Sequence, residues 1–264
     1  MHGTAIQPST ASRSPKMRDV PDRMTDRLIV ALDVPTPDQA EKLVNDLDGV
    51  VSFYKIGLWL LFTAGTDQLI DRLIRKGKKI FLDYKMFDIP ETVSKGVESA
   101  RDRGIKFVTV HGDNEIMKAA VQGKGNSDFL KIFTITVLTS MNDADLREMG
   151  YRLSVKELIE LRVRKSLEYG SDGIIASAAD KPDEIRKLVA NEGLLIATPG
   201  VRPAGSGSDD HKRLAAPSEA IRAGADYIIM GRPIISHDNP RAQAQAVIAD
   251  MEKGLSQRVA HIAT

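Results

Sequence analysis

The sequence predicts a single (β/α)8 TIM barrel, and three observations carry that prediction. Short apolar runs rich in β-branched and aromatic residues recur eight times, with room for a helix between neighbouring runs. The chain has 264 residues, close to the roughly 250 that one such barrel occupies. Polar and charged residues follow most of the runs, at the strand ends where barrels of this class build their sites.

The strand candidates are spread evenly over the chain. The first half holds Leu28 to Asp33, Val51 to Ile56, Lys78 to Asp83 and Lys106 to His111. The second half holds Phe129 to Leu138, Gly173 to Ala176, Leu194 to Thr198 and Tyr227 to Gly231. Because strands that alternate with helices form parallel sheets, eight units indicate a closed barrel, with a doubly wound open sheet as the structural alternative.

The segments between the runs have the periodicity of helices. Pro37 to Asp48 and Ser154 to Tyr169 place apolar residues three or four positions apart, with charges on the other face. Glycines suited to helix ends stand just before the next strand run, at Gly77, Gly104, Gly170 and Gly224. We expect one catalytic domain over residues 26–264 and a disordered tail over residues 1–25, which are rich in Ser, Thr, Pro and Arg.

Composition narrows the class of protein. Lys plus Arg number 37 and Asp plus Glu number 36, a formal net charge of +1, so the charge balance favours neither a nucleic-acid nor a membrane partner. The chain has no cysteine, which excludes disulfides and cysteine-ligated metals and is compatible with a reducing cytoplasm. No stretch approaches the roughly 20 apolar residues of a membrane span. We therefore expect a cytoplasmic protein.

The segment from Ile80 to Thr92 holds the densest chemistry. Asp83, Lys85 and Asp88 lie where an apolar run ends, and period-two alternation directs Asp83 and Lys85 to the same face of the strand. A salt-bridge cluster on the surface is the alternative interpretation. A lysine between two carboxylates favours a site, because neighbouring negative charges keep the lysine in its charged form.

The other strand ends add further polar residues. They are Asp33, Lys55, His111, Thr139 with Ser140, Arg202, and Gly231 with Arg232. The last two groups follow strands seven and eight, whose loops commonly hold phosphate in this fold. A guanidinium offers paired donors to a phosphate dianion, and an adjacent glycine lets backbone N–H groups approach. The Gly- and Ser-rich segment Ala204 to Asp210 suggests a mobile lid before His211, or simply a flexible loop.

With these motifs in place, the chain resembles the orotidine 5′-phosphate decarboxylase family from about Leu28 to the final helix. The similarity runs through Val-Ala-Leu-Asp33, Tyr-Lys55-Ile-Gly, Asp83-Tyr-Lys85-Met-Phe-Asp88-Ile-Pro-Glu-Thr92, Val-Leu-Thr139-Ser-Met, Thr-Pro-Gly-Val-Arg202-Pro and Gly-Arg232-Pro-Ile. Sister sugar-phosphate decarboxylases share the Asp-x-Lys-x-x-Asp core. The Ile-Pro-x-Thr extension and the last two motifs favour the nucleotide enzyme.

The resemblance implies a homodimer that decarboxylates orotidine 5′-monophosphate to uridine 5′-monophosphate with neither metal nor cofactor. Lys85 would be the proton donor, in a charged array with Lys55, Asp83 and Asp88. Asp88 and Thr92 would be contributed across the dimer interface. The apolar segment Tyr54 to Phe62 offers weak support for such an interface, although a Leu-rich run of this kind is more typical of a core.

The resemblance also implies the residues that bind substrate. Ribose would contact Asp33 and Lys55, pyrimidine would contact Thr139 in preference to Ser140, and the 5′-phosphate would contact Arg202, His211, Gly231 and Arg232. Asp83, near the substrate carboxylate, and Thr92 would also bind substrate. Two positions depart from the family pattern. Phe87 stands where bacterial relatives often have His, and we expect it only to pack. His211 stands where the family has a Gln that reaches phosphate. Separately, we expect His111 to be a polar residue at the barrel end whose hydrogen bonds are satisfied.

Two other functions remain as alternatives. A sister enzyme that acts on a keto-sugar phosphate would use magnesium, for which Asp33 and Asp83 offer carboxylates. A barrel that binds a phosphate metabolite without catalysis is the second alternative, since a fold does not fix a function. Against it stands the charged array, because a simple phosphate binder has no use for a lysine between two acids.

Overall fold

The computed structural model of the protein describes residues 19–203 and 215–262, and these form a (β/α)8 barrel. The strands are β1 (Leu28–Ala31), β2 (Phe53–Gly57), β3 (Lys79–Met86), β4 (Phe107–His111), β5 (Lys131–Ile135), β6 (Gly173–Ile175), β7 (Leu195–Thr198) and β8 (Tyr227–Met230). All eight are parallel and pair in chain order, and β1 also pairs with β8. The predicted barrel is therefore confirmed, and its closure is incompatible with the open-sheet alternative.

Alternate residues of each strand fill the barrel interior. A buried aromatic layer consists of Phe53, Phe81, Phe107, Phe133 and Tyr227. The rings meet mostly edge to face: centroids lie 4.8 Å apart for Phe53 and Phe107 and 5.0 Å apart for Phe107 and Tyr227. Because side chains alternate along a strand, the inward residues two positions later lie nearer the mouth. This aromatic layer closes the barrel beneath the mouth.

The helices pack around the outside of the barrel. In the described residues they are α1 (Pro37–Asp46), α2 (Leu58–Leu61), α3 (Thr66–Arg75), α4 (Pro90–Asp102), α5 (Asn114–Lys124), α6 (Asp143–Glu148), α7 (Val155–Tyr169), α8 (Pro182–Val189), α9 (Pro217–Arg222), α10 (Arg232–Ile235) and α11 (Pro240–Ile262). Both helices predicted from periodicity, α1 and α7, are present. No helix in the described part of the chain is long and apolar enough to cross a membrane.

Local side-chain chemistry sets the ends of α7. The Ser154 hydroxyl accepts from the Glu157 N–H at 3.3 Å, and the Glu157 carboxylate accepts from the Ser154 N–H at 2.8 Å. This reciprocal pair satisfies donors that the first helical turn leaves unpaired. At the other end Gly170 has φ +91°, a left-handed conformation that glycine adopts without a Cβ penalty. The chain then turns directly into β6.

A buried ion pair strengthens the end of the barrel away from the mouth. Arg186 of α8 pairs with Asp226, which precedes β8, and also donates to the carbonyls of Leu194 at 3.0 Å and Gly224 at 2.6 Å. Asp226 accepts from the Ile196 N–H at 2.8 Å. Removing one partner of such a pair costs about 3–5 kcal/mol, because the other charge stays buried. This network joins α8 to the entries of β7 and β8.

The predicted division into a tail over residues 1–25 and a barrel over residues 26–264 stays a prediction. Residues 1–18 lie outside the described part of the chain. Met24, at the inner end of the proposed tail, is buried in a 3-10 turn that leads into β1.

Candidate active site

A cavity of about 490 Å3 opens at the carboxyl ends of the strands. Eight of the residues predicted from the sequence line it: Asp33, Lys55, Asp83, Lys85, Thr139, Arg202, Gly231 and Arg232. They come from six parts of the chain that meet only because the strands are parallel and their ends share one rim. The convergence expected from the sequence therefore occurs.

Four of these side chains form a continuous charged array. Lys55 Nζ lies 3.2 Å from Asp33 Oδ1 and 3.5 Å from Asp83 Oδ2. Lys85 Nζ lies 2.9 Å from the other oxygen of Asp83. Signs therefore alternate in the order Asp33, Lys55, Asp83, Lys85. Asp83 is central, because each of its oxygens faces a different ammonium.

Gly57, at the end of β2, makes room for this array. A Cβ atom at this position would lie 3.1 Å from Lys55 Nζ and 3.2 Å from Asp33 Oδ1. Any larger residue would press on the ion pair. The Tyr-Lys55-Ile-Gly motif thus supplies both an ammonium and the space in which it reaches Asp33.

Asp83 is held ionised by its surroundings. Its side chain is only 14% exposed, and burial by itself raises the pKa of a carboxyl. The positive charges of Lys55 and Lys85, with hydrogen bonds from Lys85 and Thr109, more than offset burial and hold the pKa of Asp83 below its usual range. The site therefore keeps a buried negative charge beside the Lys85 ammonium.

Lys85 has an unusual backbone for a residue in a strand. Its φ is +49°, in the left-handed region that non-glycine residues seldom adopt. Leu82 pairs with Val108 and Met86 pairs with Val110, so three residues of β3 face one residue of β4. This bulge re-aims side chains locally. Period-two alternation alone correctly predicted that Asp83 and Lys85 lie together, but it did not predict the bulge.

The two predicted phosphate loops lie together across the cavity. Arg202 follows β7, whereas Gly231 and Arg232 follow β8 and begin α10. The Arg202 N–H donates to the Ala215 carbonyl at 3.0 Å, which joins the two sides of residues 204–214. The predicted lid segment, Ala204 to Asp210, and His211 lie outside the described residues.

Between the array and the arginines the cavity wall is largely apolar. It consists of Ala31, Ile135, Val137, Leu138, Ile175, Pro199, Val201, Ile229, Met230, Pro233 and the side of Trp59. Thr139 belongs to this wall, whereas Ser140 is exposed and does not line the cavity. Such a wall suits a planar ring.

Asp88 and Thr92 do not join the array within one chain. Both are exposed, and the Asp88 carboxylate accepts from the N–H of Ile89 at 2.7 Å. They lie on the loop and first turn that follow β3. Among the described residues, no group of three or more His, Asp or Glu side chains is arranged to hold a metal ion.

His111 differs from the sequence expectation. It is half-buried at the end of β4 with its ring centroid 4.3 Å from that of Phe87, and its buried Nδ1 finds no hydrogen-bond partner within the described residues. The prediction of a satisfied polar residue was therefore wrong. Phe87 does pack as predicted, although 68% of it is exposed.

Sequence reasoning missed Thr109. This fully buried residue of β4 donates to Asp83 Oδ1 at 2.9 Å and accepts from the Lys85 N–H at 2.9 Å. Counting inward positions back from His111 would have placed it beneath the mouth. Nothing in the sequence indicates its two bonds, because both depend on the bulge in β3.

Comparisons with known proteins agree with this geometry. Residues 26–247 match the model of the orotidine 5′-phosphate decarboxylase / HUMPS family. The orotidine 5′-phosphate decarboxylase of Nitrobacter winogradskyi is 50% identical over 89% of this chain and 96% of its own, and that of Bradyrhizobium diazoefficiens is 47% identical over 87% and 95%. The crystal structure of orotidine 5′-phosphate decarboxylase from Lactobacillus acidophilus superposes with a TM-score of 0.75 at 32% identity, covering 86% of this chain and 99% of that one.

Proposed function

The chain belongs to the orotidine 5′-phosphate decarboxylase / HUMPS family, and from that premise we propose that it decarboxylates orotidine 5′-monophosphate to uridine 5′-monophosphate in pyrimidine synthesis. The observation that carries the proposal is the position of Lys85. Its ammonium lies on the wall of the cavity that Arg202 and Arg232 also line, 2.9 Å from a buried, ionised Asp83. A cation fixed at that place suits a reaction that develops negative charge on carbon.

The cavity matches the parts of such a substrate. Arg202 and Arg232 with the Gly231 backbone would bind the 5′-phosphate, since guanidinium groups pair with phosphate oxygens. Asp33 and Lys55, at the opposite end of the array from Lys85, would bind the ribose hydroxyls. The pyrimidine would lie against the apolar wall with Thr139 at its edge, which leaves C6 facing Lys85.

The chemistry follows from this placement. The bond between C6 and the carboxylate carbon breaks, carbon dioxide leaves, and the electron pair stays on C6 as a localised anion. The Lys85 ammonium stabilises that anion because it is already positioned and charged, so no reorganisation is needed during the reaction. Nζ then gives its proton to C6 and is reprotonated from water. Asp83, a negative charge near the substrate carboxylate, would also favour loss of carbon dioxide.

Phosphate is remote from the bond that breaks. Its binding energy would hold the base in place beside Lys85. Binding at one end of the cavity would thereby contribute to catalysis at the other.

We also propose a homodimer in which Asp88 and Thr92 of one chain complete the site of the other. Both are exposed beside a set of exposed apolar residues: Leu58, Trp59, Leu61, Phe62, Phe87 and Ile89. Within the run from Leu58 to Leu61 only Leu60 is buried, which is unusual for a core segment. These residues follow the adjacent strands β2 and β3, and they form one candidate interface. A cytoplasmic location belongs to the same proposal.

The test is loss of orotidine 5′-monophosphate absorbance with EDTA present. Wild type and Lys95→Ala, which alters an exposed lysine of α4, should decarboxylate the nucleotide at equal rates. Lys85→Ala should have no measurable activity. If the protein turned over a keto-sugar phosphate only with magnesium and did not turn over the nucleotide, the proposal would be refuted in favour of the sister activity. Tight phosphate binding with no turnover of either substrate would favour a non-catalytic binder.

A further inference from the structure

Thr109 lies at the one point where β3 and β4 fall out of register. Regular pairing holds at Leu82 with Val108 and resumes at Met86 with Val110. Residues 83–85 therefore face Thr109 alone. Its side chain is completely buried and lies beneath the cavity.

The Thr109 hydroxyl makes two bonds of opposite sense. It accepts from the Lys85 backbone N–H at 2.9 Å and donates to Asp83 Oδ1 at 2.9 Å. A hydroxyl has one proton and two lone pairs, so these partners fix its direction: the carboxylate takes the proton and the amide takes a lone pair. One oxygen atom thus contacts both members of the Asp83–Lys85 pair.

The bond to the Lys85 amide also explains how the bulge persists. A left-handed conformation is unfavourable for lysine, and such a conformation persists where the surrounding structure over-determines it. In a regular strand the amide would find a backbone carbonyl, but here a side-chain oxygen takes that place. The Lys85 backbone, and with it the origin of the ammonium-bearing side chain, is thereby tied to β4.

We propose that Thr109 is a positioning residue for the decarboxylation: its hydroxyl holds the Lys85 backbone and the Asp83 carboxylate in the mutual geometry that places the ammonium at the reacting carbon. This inference rests on the proposed function. Thr109 does not line the cavity and acts only through its two partners. Its contribution is therefore to the relative positions of Asp83 and Lys85 and to the charged state of Asp83.

Two readouts separate this role from simple packing. Misplacement of a reacting group by about 1 Å can cost on the order of 100-fold in rate, so kcat should fall far more than the affinity for uridine 5′-monophosphate. Loss of a hydrogen bond to the charged form also raises the pKa of a carboxyl. The charged groups around Asp83 are Lys55, Lys85 and, beyond Lys55, Asp33. With these unchanged, the acid limb of the kcat/KM profile should move to higher pH.

The experiment compares four variants with wild type. Thr109→Val keeps the shape and removes the hydroxyl, and Thr109→Ser keeps the hydroxyl. Thr109→Ala pairs with Thr109→Ser, since the two differ only by one oxygen, and this pair serves if the valine variant does not fold. Thr134→Val is the matched control: Thr134 is a buried threonine of β5 whose hydroxyl donates to Ser171 Oγ at 3.2 Å, away from the array.

We expect kcat to fall on the order of 100-fold in Thr109→Val and Thr109→Ala, with the acid limb displaced, and to return to within about 10-fold of wild type in Thr109→Ser. Thr134→Val should lower Tm without moving the profile. Equal losses in the serine and alanine variants, or an unmoved acid limb, would overturn the inference and leave the decarboxylase proposal standing. An inactive, folded wild type would instead overturn the decarboxylase proposal.

Discussion

Lys85 Nζ lies 2.9 Å from Asp83 Oδ1 although the Lys85 backbone is left-handed, with φ +49°. For a residue with a Cβ this conformation costs roughly 1–2 kcal/mol. A residue of the proposed chemistry therefore occupies a position that glycine would occupy at lower free energy. Such strain is found where the surrounding contacts impose it, often at functional sites.

The first prediction measures that strain. Lys85→Gly and Lys85→Ala both remove the ammonium and differ only in the Cβ atom, so Lys85→Gly should have the higher free energy of unfolding by about 1 kcal/mol. Denaturant titration measures the difference. The same pair at Lys95, in the middle of α4, is the control, and there alanine should be more stable by about 1 kcal/mol. Greater stability of Lys85→Ala than of Lys85→Gly would contradict the prediction.

The second prediction concerns the phosphate end of the cavity. Arg232→Ala should lower kcat/KM for orotidine 5′-monophosphate. The loss should correspond to about 2–4 kcal/mol of transition-state stabilisation, the scale for losing a charge-assisted partner. Wild type and variant should process orotidine, which lacks the phosphate, with equal kcat/KM, because the arginine then has nothing to bind. Arg222→Ala, which alters an exposed arginine of α9, should match wild type on both substrates. A loss that is the same with and without phosphate would show that Arg232 acts elsewhere.

Much of this site could be predicted from the sequence, and the limits have physical causes. Eight strand runs with polar ends were enough to bring Asp33, Lys55, Asp83 and Arg232 to one rim, because parallel strands in a barrel share their carboxyl ends. The conformation of Lys85 could not be predicted, because it depends on pairing with a strand more than twenty residues later. No local sequence pattern around Lys85 predicts such a register shift.

Other misses depend on surfaces rather than on strand order. Leu58 and Trp59 are exposed. From the sequence, a core position was the more typical interpretation of this run, because apolar residues are usually buried. The expectation that Asp88 and Thr92 act across a dimer interface is not a miss and stays a prediction, because one chain alone does not test it. The hydrogen bonding of His111 was mispredicted because a histidine at a strand end does not reveal which groups its ring nitrogens reach.

The third prediction uses the environment of His111. Burial, and then the positive charge of Arg162, hold the pKa of His111 below its ordinary value, with Asp113 opposing them. The unfolded chain therefore binds more protons than the native one as pH falls below about 6.5. This histidine lowers the stability of the protein progressively from that pH down to its native pKa. Above about pH 6.5 it is neutral in both states and contributes no pH dependence.

The Phe87 ring packs against the His111 ring, with centroids 4.3 Å apart, and we expect it to contribute to the burial of the imidazole. Removing the ring in Phe87→Ala should expose the imidazole and raise the pKa of His111 towards 6.5, which NMR titration of the imidazole Cε1–H resonance measures. The variant should also lose less stability than wild type between pH 7 and pH 5. Phe129→Ala removes another exposed ring, one that lies against Lys106, and should leave the pKa of His111 unchanged. An unshifted His111 in Phe87→Ala would show that Arg162 dominates instead.

The fourth prediction tests whether sites are shared between chains. Lys85→Ala and Asp88→Asn homodimers should each be inactive, yet mixing them should restore activity, because a mixed dimer has one site with both native residues. With random exchange about a quarter of the sites recover. Lys85→Ala mixed with Asp83→Asn is the control. It should stay inactive, since Asp83 and Lys85 belong to one chain and contact each other at 2.9 Å.

The apolar residues of the candidate interface provide the independent check on assembly. Trp59 and Phe62 are 59% and 85% exposed in one chain, and such side chains at the centre of an interface commonly dominate its affinity. Trp59 also lines the cavity, so the test uses Phe62→Ser alone. This variant should shift the sedimentation coefficient from dimer to monomer and abolish turnover, because each site then lacks the other chain's Asp88. Full activity in a monomer would place the whole site within one chain and refute the shared arrangement.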